Sequence, residues 1–268
     1  MTGLALSARV DGAFAAGRVH RIAVPGGDLV IEVAGQVPAV LLLHGWTLDR
    51  LQWRGQAPLT ERFTLVAVDR RGFGESTAPA DLAEEPSDVA RVAAALGLER
   101  YHLVGLSQGG KVALAHAATQ PAGLERLVVI GAPIDAELPV APETVPAAEM
   151  ATLARAGKLA EMRQLWLAHP LTAGRPEVRA AMAAMLTRYD GRDLVAPGRP
   201  LTVTLDDVRR ISVPATALAG ADDTPWRRAV VDALGQVGLA TGLIGGGGHL
   251  ATLDAAAESN QAIIAALG

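Results

Sequence analysis

The most constraining stretch of this chain is Tyr101–Gly110, YHLVGLSQGG, where a mostly apolar run passes without a loop into a helical pattern. His102–Leu106 is short and bounded like a buried strand, and Gln108–Thr119 carries a helical pattern that ends before Pro121. A turn that abrupt crowds backbone against backbone. Gly105 and Gly109 remove the side chains that would collide there. Ser107, between them, is expected to take a strained conformation with its hydroxyl exposed at the end of the strand. The helix that follows points its N-terminus, with free N–H groups, at the same spot. A bare G-x-S-x-G arises often by chance; its place between a strand and a helix makes it informative.

The surrounding pattern supports that placement. Val19–Val24 and Leu29–Val33 read as two strands around Gly26-Gly27. Ala39–Leu43, Thr64–Val68, His102–Leu106 and Leu127–Ile130 are short apolar runs with helical stretches between them, one of which, Asp88–Leu96, Ser87 is expected to cap. Such runs predict a mostly parallel sheet covered on both faces. From Pro133 to Asp207 the strand pattern stops. Helical stretches appear at Ala147–Ala156, Leu159–Ala168 and Glu177–Tyr189, punctuated by prolines. Strands resume at Ala215–Ala219 and Leu239–Ile244, and Ala255–Leu267 closes the chain as a helix. The expectation is an α/β core, residues 1–132 and 208–268, with residues 133–207 as a helical cap insertion.

Composition narrows the function classes. Of the 268 residues half are hydrophobic, enough for a sizeable core, while aromatics make up only 3%. The net charge is −4 and no block of Lys or Arg occurs, which argues against nucleic acid as a partner. There is no cysteine, so disulfides and thiolate metal sites are impossible, and a cytoplasmic location is expected. Arg9 and Asp11 interrupt the apolar N-terminus, which lacks the basic start of a secretory signal. No uncharged apolar run is long enough for a membrane span. No G-x-G-x-x-G follows the first strand and no His/Asp/Glu grouping has metal spacing, so neither cofactor nor metal is expected.

With the serine turn, two further segments carry a family resemblance: Leu41-Leu42-Leu43-His44-Gly45-Trp46-Thr47-Leu48-Asp49 and Asp69-Arg70-Arg71-Gly72-Phe73-Gly74-Glu75-Ser76. The chain resembles the α/β-hydrolase superfamily, in particular its small capped branch of esterases, enol-lactonases and haloperoxidase-like perhydrolases. The resemblance runs from about Val19 to the end, apart from the cap. It implies the α/β-hydrolase fold and a serine nucleophile served by a histidine and an acid.

A serine hydroxyl needs a base to take its proton. His116 lies nine residues along the helix from Ser107, roughly 13 Å at 1.5 Å per residue, too far to serve. His20, His102 and His169 are remote, and His44 is better suited to bracing its own loop. His249 follows Gly245-Gly246-Gly247-Gly248 after the last strand, where the chain order Ser…Asp…His puts the base. For the acid, Asp222 and Asp223 both follow the preceding strand. The resemblance suggests G-x-x-D, which selects Asp223, with Asp222 next and Asp135 third.

The oxyanion formed on attack needs two donors. One is expected from the backbone N–H of Gln108; by resemblance the other is that of Trp46. Asp69–Gly72 is read as a structural turn. Met162, Trp166, Met182, Met185 and Leu186 recur at helical spacings in the cap. Together with Trp46, Met162, Trp166 and Met185 are candidate pocket residues, although such stripes more often pack the cap onto the core. The expected activity is cofactor-free hydrolysis of a small carboxylic ester or lactone. The same triad can also serve perhydrolysis, C–C bond cleavage or a slow-turnover ligand receptor, and the sequence leaves these open.

Overall fold

The computed structural model describes residues 12–268, so Arg9 and Asp11 lie outside the described residues. The first strands, β1 (Arg18–Val24) and β2 (Gly27–Ala34), form an antiparallel hairpin. They are followed by β3 (Ala39–Leu43), β4 (Thr64–Asp69), β5 (Tyr101–Leu106), β6 (Leu124–Ile130), β7 (Ala215–Gly220) and β8 (Ala240–Ile244). All eight join one sheet in the order β1-β2-β4-β3-β5-β6-β7-β8. From β4 to β8 every pairing is parallel, and β2 pairs antiparallel with β4.

Alternation along β3 explains why its five residues are all buried. Leu41 and Leu43 face one core layer, shared with Leu103, Val112 and Val230; Val40 and Leu42 face the other, shared with Val104, Leu106 and Ile263. Helices α1 (Glu85–Ala95), α2 (Gln108–Ala118) and α8 (Pro225–Gln236) supply the first layer, and the terminal helix α10 (Ala256–Leu267) the second. A short α9 (Ala251–Asp254) precedes α10.

Helix α1 begins before Ser87, which therefore sits inside it and does not cap it. The physical reason is Pro86: its missing N–H has no partner to lose in a first turn, so the helix extends backward through it. The sequence pattern also passed over Arg50–Glu61, a 3₁₀ segment capped by Asp49, whose carboxylate accepts the Leu51 N–H at 2.9 Å.

Between β6 and β7 there is no strand among the described residues, as expected. Helices α3 (Ala147–Arg155), α4 (Leu159–Leu167), α5 (Pro176–Leu186) and α6 (Arg192–Val195) pack on one another. Helix α7 (Leu205–Arg209), which straddles the end of the expected cap range at Asp207, packs on α2 and α8 of the flanking layer. Polar ties fasten the helical group to the core: Arg188 holds Asp49, with Nε 2.7 Å from Oδ2, and Arg192 donates to the carbonyls of Gly72, Gly74 and Ser76. No helix among the described residues is long and apolar enough to cross a membrane.

Strand order reverses direction at β3, whose neighbours are β4 and β5. Loops leaving the ends of β3 and β5 diverge there and open a crevice, the usual binding position of a parallel sheet. Both His44-Gly45-Trp46 and Ser107 stand at that crevice.

Candidate active site

Ser107 links β5 to α2 with φ 50° and ψ −121°, a sparsely populated conformation that costs on the order of 1–3 kcal/mol. Its N–H donates to Ile130 O at 2.8 Å, and its carbonyl accepts from Lys111 N at 3.0 Å, so the turn is pinned on both sides. The flanking glycines are required by close approach. A Cβ on Gly105 would lie 2.5 Å from Gly109 O, and one on Gly109 would lie 2.3 Å from Leu43 O and 2.5 Å from His44 O. Gly109 thus lets α2 press against the end of β3. Gly109→Ala should cost about 1–3 kcal/mol of stability through overpacking. Because the clash falls on the loop that carries Trp46, activity should fall more than the melting temperature alone explains; comparing thermal unfolding with turnover checks this.

The structure brings Ser107, His249 and Asp223 together. His249 Nε2 lies 2.9 Å from Ser107 Oγ, and His249 Nδ1 lies 3.0 Å from Asp223 Oδ2. The other Asp223 oxygen accepts the Thr224 N–H at 2.7 Å, which fixes the carboxylate. Both His249 and Asp223 are buried. Asp222 is exposed and does not reach His249; its N–H donates to Gly247 O at 2.9 Å. Asp135 is elsewhere, 2.6 Å from Lys111 Nζ and accepting the Val203 N–H. The glycine loop before His249 is held by the Gly248 N–H, which donates to Asp254 Oδ2 at 3.1 Å.

His44 is buried and braces its own loop. Its Nε2 accepts the Arg70 N–H at 3.0 Å, so the ring proton is on Nδ1, which donates to Gly45 O at 2.7 Å. Burial, with the Arg70 charge beside it, holds this imidazole well below its ordinary value and therefore neutral. His116 is likewise committed to the core, bonded to Tyr101 Oη and to Pro86 O.

Gln108 opens α2, where the first N–H groups have no intrahelical acceptor. The Gln108 side chain accepts from Arg70 Nη2 at 2.8 Å, while Arg70 Nη1 donates to His44 O at 2.9 Å. Arg70 also forms a buried pair with Glu85, Nε to Oε2 at 2.6 Å. One guanidinium therefore spans the β3 loop and the start of α2. From the sequence the turn at Asp69–Gly72 reads only as structural, and nothing in its spacing signals this link. In the β3 loop the Gly45 N–H is taken by Gln52 Oε1 at 2.8 Å.

Above Ser107 lies a cavity of about 430 Å³. Trp46 and Trp166, two of the candidate pocket residues, line it. Met162 and Met185 do not: both are buried in the core between the helical group and the sheet, and Met182 takes the lining position instead. Spacing alone identifies a helical stripe but not which of its members turns to the cavity. The structure adds cavity residues that the sequence pattern did not signal, among them Phe73, Lys111, Asp193 and Arg227.

A model described as the alpha/beta hydrolase family matches residues 40–262. Carboxylesterase YbfK of Bacillus subtilis is 27% identical over 241 residues, 86% of this chain and 80% of that protein. Fluoroacetate dehalogenase of a Burkholderia species is 35% identical over 122 residues, which are 41% of this chain. The match spans only 40% of that dehalogenase, and 33% of some other curated relatives. Among solved structures, a thermophilic esterase from Thermogutta terrifontis superposes with a TM-score of 0.77 at 26% identity, covering 93% of this chain and 97% of that one. With the family model matched from β3 to the terminal helix, the chain belongs to the alpha/beta hydrolase family.

Proposed function

We propose that the protein is a cofactor-free serine hydrolase of a carboxylic ester or lactone. The observation that carries this reading is the continuous hydrogen-bonded line from Ser107 Oγ through His249 to Asp223. Ser107 Oγ attacks the carbonyl carbon as its proton passes to His249 Nε2. Asp223 holds the Nδ1–H and stabilises the imidazolium. The carbonyl oxygen becomes an oxyanion, received by the backbone N–H groups of Gln108 and Trp46, each contributing about 3 kcal/mol. As the carbon–oxygen bond to the leaving group breaks, His249 returns the proton to that oxygen. Water, deprotonated by His249, then adds to the acyl carbon, and His249 returns that proton to Ser107 Oγ as the bond to the acid breaks and the acid departs.

The helices over the cavity serve in this reading as a cap, residues 133–207 being its sequence span, and they set the size of substrate admitted. Two measurements test the proposal. Ser107 should be labelled by a fluorophosphonate probe, and a panel of p-nitrophenyl esters of graded acyl length with simple lactones should contain a substrate. An unlabelled Ser107 together with no turnover across the panel would overturn it.

A further inference from the structure

The chain has four Trp, two Tyr and three Phe, nine aromatic residues in 268. Four of these nine meet on one side of the cavity. Trp46 and Trp166 sit edge to face with ring centroids 4.9 Å apart, and Tyr189 stacks on Phe73 at 6.4 Å. Trp46, Trp166 and Phe73 line the cavity and Tyr189 backs it.

A carboxylate stands among these rings. Asp193 Oδ2 accepts from Trp46 Nε1 at 2.7 Å, and Oδ1 accepts from Tyr189 Oη at 2.8 Å. Both donors are neutral. The other two carboxylates lining the cavity each have a cation: Glu85 pairs with Arg70 at 2.6 Å, and Asp81 with Arg199 at 2.8 Å. The lining cations Lys111 and Arg227 are matched as well, by Asp135 at 2.6 Å and Glu143 at 3.4 Å. Asp193 forms no ion pair among the described residues. Burial raises its carboxyl, as expected for a charge without a counter-charge.

Aromatic faces attract cations, and a carboxylate behind them strengthens that attraction in a place shielded from water. We propose that Trp46, Trp166 and Asp193 form a cage for an alkylammonium group of the substrate. This deepens the ester-hydrolase reading, because the cage opens into the cavity above Ser107. The inference rests on the placement of these three side chains.

The test compares choline with 3,3-dimethylbutanol, which replaces the quaternary nitrogen by carbon. Calorimetric titration of the intact protein should give choline a dissociation constant about ten-fold lower. Asp193→Asn keeps the side-chain size and an acceptor, and should remove most of that preference. Equal binding of the two alcohols, or a preference that persists in Asp193→Asn, overturns the cage. If the variant does not fold, the comparison on the unaltered protein still decides. Hydrolysis of choline and 3,3-dimethylbutyl butyrates separates this inference from the reading it rests on. Turnover without a choline preference removes the cage and keeps the hydrolase. A choline preference with no turnover of either ester keeps the cage and removes the hydrolase.

Discussion

Ser107→Ala should lower ester turnover by about a million-fold while leaving the melting temperature within a few degrees of the parent. That magnitude is typical when the nucleophile of a serine–histidine unit is removed, and His249→Ala should match it because the two act together. Asp223→Asn should cost less, on the order of ten thousand-fold. Its amide would present an N–H to His249 Nδ1 as readily as an oxygen, so the ring would adopt the wrong tautomer without leaving its place. Asp222→Asn should change little, since that side chain is exposed and does not contact the histidine. Single-turnover kinetics with the four variants checks the ranking. An Asp222 variant as impaired as the Asp223 variant would overturn the assignment of the acid.

The largest effect on stability is expected at Arg50. This guanidinium is 2% exposed and lies 2.6 Å from Asp69, 2.9 Å from Glu75 and 3.5 Å from Glu32. Asp69 in turn accepts the backbone N–H groups of Arg50 and Glu75, and Glu32 accepts those of Ala13 and Phe14. The cluster thus ties β2, the end of β4 and the 3₁₀ segment into one unit. Arg50→Met would leave Asp69 and Glu32 buried with no cation between them, a loss of about 3–5 kcal/mol. Burial already raises the Asp69 carboxyl to about 6 with Arg50 beside it. Without the arginine it rises further, so the folded variant holds a proton that the unfolded chain releases. A folded-state value above the unfolded one gives stability that is lost as pH rises through it. The deficit should therefore be larger at pH 8 than at pH 5. Urea denaturation of both proteins at the two pH values measures it, and a deficit independent of pH would remove Asp69 as its source.

The strands were legible because burial on both sheet faces leaves an apolar signature; Ala39–Leu43 matches residue for residue. The serine turn was legible because its glycines answer to a local clash between neighbouring backbones. The partner of His249 was less so. Asp222 and Asp223 are adjacent in sequence, and only the path of the chain after β7 sends one toward His249 and the other to solvent. Long-range polar links left no trace in the pattern. Arg70 reaches Gln108 across 38 residues and Trp46 reaches Asp193 across 147, so no periodicity could relate them. The methionine stripe shows the same limit on a smaller scale, since the helix faces set by packing decided for Met182 over Met162 and Met185.

The bond between Arg188 and Asp49 bears on how such a molecule can diversify. The helical roof is inserted at a single break in the sheet, between β6 and β7, so evolution or a protein engineer could exchange it without cutting any strand. The exchange is conditional. The Asp49 side chain is only 7% exposed, and its one cationic partner among the described residues comes from the roof. A transplanted roof that brings no cation to this position leaves an unmatched charge at the start of the 3₁₀ segment, a few residues from the loop beside Ser107. Graft libraries that retain Arg188 should therefore yield more folded, active members than libraries that randomise it.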